Sequence, residues 1–222
     1  MTTTTKERPA AMKEPREPAH RAPKRLTFAE YMEIERESET RHDLVKGIMI
    51  PVSGGTTTHN TICANVIRGL GNALEDTDCR AMTSDQKVYT GYRAGRYPDV
   101  VVACGDLQVA YGEALQNPVL IVEVLSDSTA FVDRGEKYRE YCSIESLRHY
   151  VLIDQYHPGL EHYRRESDGD WKLTGDYVSL SDTWRFSLGG TDVAIPLAKI
   201  YRFVTFPEIS PFAGKDVEET PK

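Results

Sequence analysis

The sequence lacks the features that mark secreted, membrane-spanning and strongly basic proteins. Its four cysteines are scattered without a CxxC pair, and no apolar segment of a secretory signal lies near the N-terminus. No apolar run approaches the roughly 20 residues that cross a bilayer. The formal net charge is −7, which excludes a protein held to nucleic acid by overall positive charge but not one with a local basic groove. These absences predict reduced thiols, a cytoplasmic location and no membrane partner.

Recognisable ligand-binding and reader modules are also missing. The glycines of Ser53–Gly55 are not followed by the lysine of a phosphate-binding loop. No zinc finger and no patterned basic helix is present with which to choose a nucleic-acid sequence. The sequence therefore carries no signal for a specific recognition sequence.

The length of 222 residues fits one domain with tails. Residues 1–24 are rich in Thr, Pro and charge, so we predict a disordered N-terminal tail. Residues 25–212 form the predicted domain, and residues 213–222 form a flexible C-terminal tail.

Two helices are predicted early in the domain. Thr27 followed by Glu30 is a capping-box pattern, which predicts a helix start. A second, longer helix is indicated by four apolar residues at helical spacing: Ile62, Val66, Leu70 and Leu74.

The remaining segments predict a sheet with a third helix. CRAMTSDQKVYT, YPDVVVAC and VLIVEVL are predicted to be successive strands of a meander, and HYVLID, LEHYRRE, WKLTGDYV and DVAIPLAKIY are predicted to be later strands. AFVDRGEKYREYCSI reads as a helix whose packed side contains Phe131, Tyr138, Tyr141 and Cys142. This order predicts a mixed α/β (α+β) domain in which helices flank a central mixed sheet.

One glutamate, Glu123, lies inside the apolar run of NPVLIVEVLSDST. A charge in a buried strand is costly unless it is paired, protonated or bound to a metal. Asp99 stands at the mouth of the preceding strand, and a turn near Tyr111 and Gly112 would place residues 99 and 123 side by side. Two carboxylates at that distance favour a trapped proton or a divalent cation.

A lysine would complete a site for metal-assisted phosphodiester hydrolysis, because an ammonium offsets developing negative charge. The position two residues after Glu123, on the same strand face, is Leu125. The nearest downstream basic residues are Arg134 and Lys137, on the predicted third helix. Lys137 could project from that helix across the sheet edge, which gives Asp99, Glu123 and Lys137 as a candidate triad.

Each member of this triad has a purely structural alternative. Glu123 could be a core charge that pairs with an arginine such as Arg148. Asp99 alone could be a turn aspartate after proline. Lys137 could be a solvated helix residue with weak partners.

The blocks PDVVVA, NPVLIVEVLSDST, DRGEKYREY and RHYVLID resemble, in this order, the Uma2 family, also called DUF820. This is a bacterial group of restriction-endonuclease-like proteins within the PD-(D/E)xK nuclease superfamily. The upstream RHDLVKGIMIPVSGGTTTH resembles the hairpin of that family. Together the blocks span roughly Arg41 to Asp154, so the resemblance covers most of the predicted domain and implies a restriction-endonuclease-like core.

The resemblance also implies a metal site. Asp99 and Glu123 would bind Mg²⁺ or Mn²⁺, with the backbone carbonyl of Val124 as a further ligand. Lys137 would be the catalytic lysine, which in this family has moved from the strand to the following helix. Hard oxygen ligands fit Mg²⁺ better than Zn²⁺.

Two further positions match the family less directly. The acidic position in the hairpin is usually Glu and is Asp43 here, so its reach toward a metal is shorter by one methylene. His59 matches a histidine near the start of the second helix, for which we expect a supporting or substrate-facing role.

These observations lead to the expectation of a Mg²⁺-dependent endodeoxyribonuclease with DNA as its substrate. One alternative is a catalytically inactive nuclease-fold protein with a nucleic-acid-binding or regulatory role. Another is a nuclease that acts on RNA or on unusual DNA ends. A homodimer is expected if both strands of a duplex are cut, because one domain supplies one site.

Overall fold

A computed structural model of the chain describes residues 24–127 and 129–206. The predicted C-terminal tail and all of the predicted N-terminal tail except Lys24 lie outside these ranges. Among the residues described, no helix is long and apolar enough to cross a membrane.

The helices begin close to the predicted positions. Their bounds are α1 (Phe28–Arg36), α2 (Thr57–Ala73), α3 (Ala130–Val132), a π-helical segment (Asp133–Lys137), α4 (Tyr138–Cys142) and α5 (Leu197–Ile200). The capping box of Thr27 and Glu30 is present at the start of α1. The four apolar residues predicted for the second helix all lie buried along α2 or at its C-terminal end, so both early helix predictions are confirmed.

In the described part of the chain, the strands form two six-stranded sheets and one hairpin. Their bounds are β1 (His42–Val45), β2 (Ile48–Pro51), β3 (Cys79–Thr83), β4 (Val88–Gly91), β5 (Ala94–Arg96), β6 (Val100–Cys104), β7 (Val109–Ala110), β8 (Ala114–Leu115), β9 (Leu120–Leu125), β10 (His149–Asp154), β11 (Leu160–Arg165), β12 (Trp171–Tyr177), β13 (Thr183–Leu188) and β14 (Thr191–Pro196).

The central sheet has the strand order β12-β11-β10-β9-β6-β3. Strands β9 and β10 run parallel, whereas the other neighbours are antiparallel. A parallel pair needs a crossover connection, and here the crossover contains α3, the π-helical segment and α4. The sheet is therefore mixed and flanked by helices, as the sequence predicted.

The alternation of side chains along β9 decides which residues face which helix. Val122 and Val124 pack in the core that contains α2 and α5, whereas Ile121 and Leu125 pack in the core that contains Tyr141 of α4. Glu123 is therefore on the α4 face of the sheet, which is the face covered by the crossover.

The second sheet has the order β2-β1-β5-β4-β8-β7 and packs against α1. Strands β3, β6 and β9 are antiparallel neighbours in the central sheet, but β4 and β5 leave it for the second sheet. The three predicted strands are therefore neighbours in the predicted order, and only the end of the first segment, which contains β4, belongs to the second sheet. Of the two short strands β4 and β5, β5 pairs with β1, a partner distant in sequence, and local patterns do not report such a pairing.

Two further predictions need correction. Phe131 is 90% exposed, because its neighbour Ala130 packs toward the sheet and successive helical residues point about 100° apart. The last predicted strand ends at Pro196, and α5 follows it, because the fixed φ of proline suits the start of a helix.

The prediction of four reduced thiols is also wrong. Cys79 and Cys104 form a disulfide. The pairing register of β3 and β6 places these two residues directly opposite each other, which sequence spacing alone does not show. Cys63 and Cys142 are free.

Candidate active site

Asp99 and Glu123 are brought together by the pairing of β6 with β9. Val100 pairs with Val122, so continuing the register by one residue places Asp99 opposite Glu123. The intervening connection reverses at Tyr111 and Gly112, which have left-handed φ values of 52° and 82°. The predicted register is confirmed.

Asp99 is held by hydrogen bonds to one of its two carboxylate oxygens. Oδ2 accepts from the backbone N–H of Val124 at 2.7 Å and lies 3.1 Å from Nε2 of His59. Within the part of the chain that the structure describes, Oδ1 has no hydrogen bond. The pKa of His59 is raised, because the hydrogen bond and charge of Asp99 outweigh the opposing effect of burial.

Glu123 is only 2% exposed and is also held through one oxygen. Oε1 accepts from the hydroxyl of Tyr141 at 2.8 Å and lies 3.1 Å from Nζ of Lys137. No hydrogen bond to Oε2 is found among the described residues. Burial raises the pKa of Glu123 to about 8, with Lys137 acting in the opposite direction and the charge of Asp99 adding to the rise.

Lys137 projects from the crossover into the sheet edge, as predicted. Its Nζ lies 2.8 Å from Oδ1 of Asp133 as well as 3.1 Å from Glu123. Burial disfavours the ammonium charge, but these two carboxylates outweigh burial and raise the pKa of Lys137 above its ordinary value. Lys137 is therefore a charged residue whose side chain is only 12% exposed, and the solvated alternative is wrong.

The alternative partner for Glu123 is also wrong. The guanidinium of Arg148 donates to the backbone carbonyls of Glu145 and Leu147. Arg148 therefore binds the backbone of the loop after α4, and Lys137 is the positive charge beside Glu123.

The π-helical segment positions this lysine. Asp133 begins the segment and Lys137 ends it, and the hydroxyl of Tyr150 donates to the carbonyl of Asp133 at 3.0 Å. Single π-helical turns occur often at functional sites, where they change the direction of side chains in an otherwise α-helical region.

Asp43 lies on β1 and contacts the chain just before Asp99. Its Oδ1 accepts from the backbone N–H of Tyr97 at 3.0 Å, and its Oδ2 accepts from Arg96 at 3.3 Å. Arg96 is almost completely buried and also donates twice to Glu140, at 2.7 Å in each case. Both carboxylate oxygens of Asp43 are therefore already occupied by protein donors.

Sequence reasoning missed four residues of this site: Cys63, Arg96, Asp133 and Tyr141. Three of them are separated by four residues from a residue that was identified, at the spacing that places side chains on one helix face: Cys63 from His59, Asp133 from Lys137, and Tyr141 from Lys137. Arg96 gave no such signal, because its partners come from β1 and α4.

A mixed central sheet flanked by helices is the core expected of a restriction-endonuclease-like protein, and here it carries two opposite carboxylates and a lysine that reaches one of them from the crossover. The profile of the Uma2 family, described as "Putative restriction endonuclease", matches residues 28–195. The chain belongs to the Uma2 family.

The chain is also similar to two relatives and to one solved structure. Uncharacterized proteins sll1609 and slr1290 of Synechocystis sp. are 34% and 30% identical to the chain. The alignments cover 67% and 82% of this chain, and 86% and 94% of the relatives. A crystal structure described as a "putative nuclease belonging to DUF820" from Anabaena variabilis shares the fold, with a TM-score of 0.62, 13% identity and coverage of 81% of this chain and 99% of its own.

Proposed function

We propose that the protein is an endodeoxyribonuclease that hydrolyses DNA phosphodiester bonds with Mg²⁺ or Mn²⁺. The observation that carries this proposal is the convergence of Asp99, Glu123 and Lys137 on one edge of the central sheet. The description of the Uma2 family as restriction endonucleases supports the same reaction class.

The chemistry of the carboxylates fits a hard divalent cation. Each of Asp99 and Glu123 is fixed through one oxygen, which leaves Oδ1 and Oε2 as donors. The carbonyl of Val124 would be a third oxygen donor, because its own N–H is bonded to Asp99. Bound there, Mg²⁺ or Mn²⁺ supplies charge neutralisation at the phosphate and activation of the attacking water.

The protein groups around the carboxylates have separate roles in this proposal. Lys137 places a permanent positive charge where negative charge develops on the phosphate oxygens. Tyr141 fixes the orientation of Glu123, and His59 supports Asp99 from α2. Asp43 acts as a positioning residue through the N–H of Tyr97, because both of its oxygens are engaged.

A metal-binding protein of the same fold without turnover is the second candidate. The formal net charge of −7 favours it, because an acidic protein gains little general attraction to DNA. Only turnover separates the two candidates, since both bind metal.

The test is cleavage of supercoiled plasmid, single-stranded DNA and RNA with Mg²⁺, Mn²⁺ or EDTA. Wild type is compared with Glu123→Ala and Lys137→Ala, and the matched controls are Glu39→Ala and Lys172→Ala at exposed positions. Metal-dependent plasmid cleavage that is lost in the first two variants and kept in the controls supports the proposal. Cleavage of RNA but not of DNA would show that the substrate is RNA.

Absence of cleavage by folded wild-type protein would instead support the binding protein without turnover.

We extend the proposal to a homodimer, because cutting both strands of a duplex needs two sites and each domain supplies one. Light scattering that detects only monomers, with and without DNA, would remove this extension.

A further inference from the structure

A second donor set lies against Asp99, on the side of α2. His59 and Cys63 are four residues apart on this helix and therefore share one face. Sγ of Cys63 lies 3.6 Å from Nδ1 of His59, and Nε2 of His59 lies 3.1 Å from Oδ2 of Asp99. One ligand atom from each of the three residues can be chosen so that all three lie within 4.8 Å of one another.

The spacing of the sulfur and nitrogen donors on α2 is close to that of two ligands of a single tetrahedral ion. Typical bonds of about 2.3 Å to sulfur and about 2.05 Å to nitrogen separate the two donors by about 3.6 Å. The observed separation between Sγ and Nδ1 is 3.6 Å. Cys63 and His59 are therefore already spaced as two ligands of one ion, and the 4.8 Å limit places Asp99 near enough to be the third.

The chemical types of these donors differ from those of the Asp99 and Glu123 pair. Thiolate and imidazole prefer zinc-class ions, whereas Mg²⁺ prefers oxygen donors. The thiol of Cys63 is partly buried, and burial raises its pKa. The negative charges of Asp99 and Glu123 raise this pKa further. A metal ion that binds this sulfur must displace its proton.

We propose that His59, Cys63 and Asp99 bind a zinc-class ion, and that this ion inhibits the metal-dependent hydrolysis proposed above. Three protein ligands leave the fourth tetrahedral position open to solvent or to a phosphate oxygen. The binding part stands alone, whereas the inhibition part rests on the proposed function.

The inhibition follows from the sharing of Asp99. In the structure, Oδ2 of Asp99 is bonded to the N–H of Val124, which sets the carboxylate opposite Glu123. An ion held by His59 and Cys63 that also takes an oxygen of Asp99 competes with Mg²⁺ for this carboxylate. The pair of oxygen donors needed for Mg²⁺ is then incomplete.

Binding is tested without nucleic acid by titration with Co²⁺, which substitutes for zinc and gives a near-ultraviolet charge-transfer band when a thiolate coordinates it. Wild type is compared with Cys63→Ser, His59→Ala and Cys142→Ser. The last variant removes the other free thiol, which lies on α4. Circular dichroism establishes that each protein is folded.

We expect one Co²⁺ per chain and the charge-transfer band in wild type and in Cys142→Ser. Cys63→Ser should lose the band, and His59→Ala should bind Co²⁺ at least about tenfold more weakly. A folded wild type without the band would overturn the proposal, and so would a band that persists in Cys63→Ser.

Inhibition is tested by the Zn²⁺ concentration that halves Mg²⁺-dependent cleavage, with each variant normalised to its own zinc-free rate. This concentration should rise at least about tenfold in Cys63→Ser and stay unchanged in Cys142→Ser. Equal values in all proteins would overturn the inhibition. If wild type cleaves no substrate, the proposed function fails, while the cobalt spectra still decide whether the site binds metal.

Discussion

At the scale of single residues, the candidate site depends on one buried cation that serves two buried carboxylates. Nζ of Lys137 lies 3.1 Å from Glu123 and 2.8 Å from Asp133, and both of these side chains are almost completely buried. Removal of one partner from a buried ionic cluster leaves an uncompensated charge, which costs more than the intact cluster contributes. The lysine therefore has a structural role as well as its proposed chemical one.

We predict that Lys137→Met lowers the free energy of unfolding by about 3 kcal/mol, because Glu123 and Asp133 lose their counter-charge. Lys46→Met is the matched control, since Lys46 is 74% exposed in its pair with Glu136; we expect a change below about 0.5 kcal/mol. Urea denaturation measures both. Equal effects of the two substitutions would show that the buried cluster has no special weight.

At the scale of elements, the π-helical segment fixes the register of the crossover. The hydroxyl of Tyr150 donates to the carbonyl of Asp133 at its start, and Tyr141 in α4 donates to Glu123 after its end. These two hydrogen bonds anchor the helical region on both sides of the extra residue that a π turn contains.

We predict that deletion of Gly135 lowers the free energy of unfolding by about 1 to 3 kcal/mol. Without the extra residue the segment becomes an ordinary α-helix, which is one residue too short to keep both the Tyr150 and the Tyr141 hydrogen bonds. Thermal and urea unfolding measure this change. Gly135→Ala keeps the register, and an added Cβ meets no atom within 4 Å, so we expect unchanged or slightly higher stability. A deletion variant as stable as wild type would contradict the role given to this segment.

A second element-scale feature is the contact between the central sheet and the β13–β14 hairpin. Nδ1 of His149 lies 2.9 Å from Nε2 of His162, and the indole N–H of Trp184 donates to Nδ1 of His162 at 3.2 Å. Burial lowers the pKa of His149 to about 4 and, together with the charge of His149, lowers the pKa of His162 to about 3. Both rings are therefore neutral in the folded protein at neutral pH.

We predict that these histidines destabilise the protein as the pH falls below about 6.5. Between about pH 6.5 and the lowered pKa values of the folded state, the unfolded chain binds more protons than the folded protein does. The free energy of unfolding therefore decreases as the pH decreases through this range. From about pH 7 to pH 5, His149 alone contributes a loss of about 2 kcal/mol.

The measurement is urea denaturation at both pH values for wild type and His149→Phe. The variant should lose less stability on acidification than wild type. Glu123 has a raised pKa, so its contribution to the free energy of unfolding increases as the pH falls, opposite to that of the histidines. Both proteins contain Glu123, and the difference between them therefore reports on the histidine. His157→Gln, at an exposed position, should behave as wild type does. Equal acid sensitivity of wild type and His149→Phe would contradict the prediction.

At the scale of the whole molecule, the sequence predicted features that leave a sign in nearby residues, such as a charge inside an apolar strand or two residues equally spaced from a turn. Glu123 was identified because a charge inside an apolar strand needs a compensating partner. Its position beside Asp99 was predicted because the two residues are equally spaced from the turn at Tyr111 and Gly112. The start of α1 followed from the hydrogen-bonding pattern of its capping box.

Features that depend on contacts distant in sequence were not predicted. The pairing of β5 with β1 builds a second sheet from strands too short to show a clear period. Arg96 joins β1 to α4 through Asp43 and Glu140, and the disulfide of Cys79 and Cys104 depends on the register of two strands. The π-helical segment had no local signal, because its sequence is compatible with an ordinary α-helix.

The proposed site is best tested by the cleavage rate of one supercoiled plasmid in Mn²⁺, measured for wild type, Asp99→Asn, Glu123→Gln and Lys137→Met, each shown to be folded. We predict metal-dependent cleavage by wild type and a loss of at least about 100-fold in every variant, because each removes one charge from a shared site. A Glu123→Gln protein that cleaves at the wild-type rate would contradict the central claim.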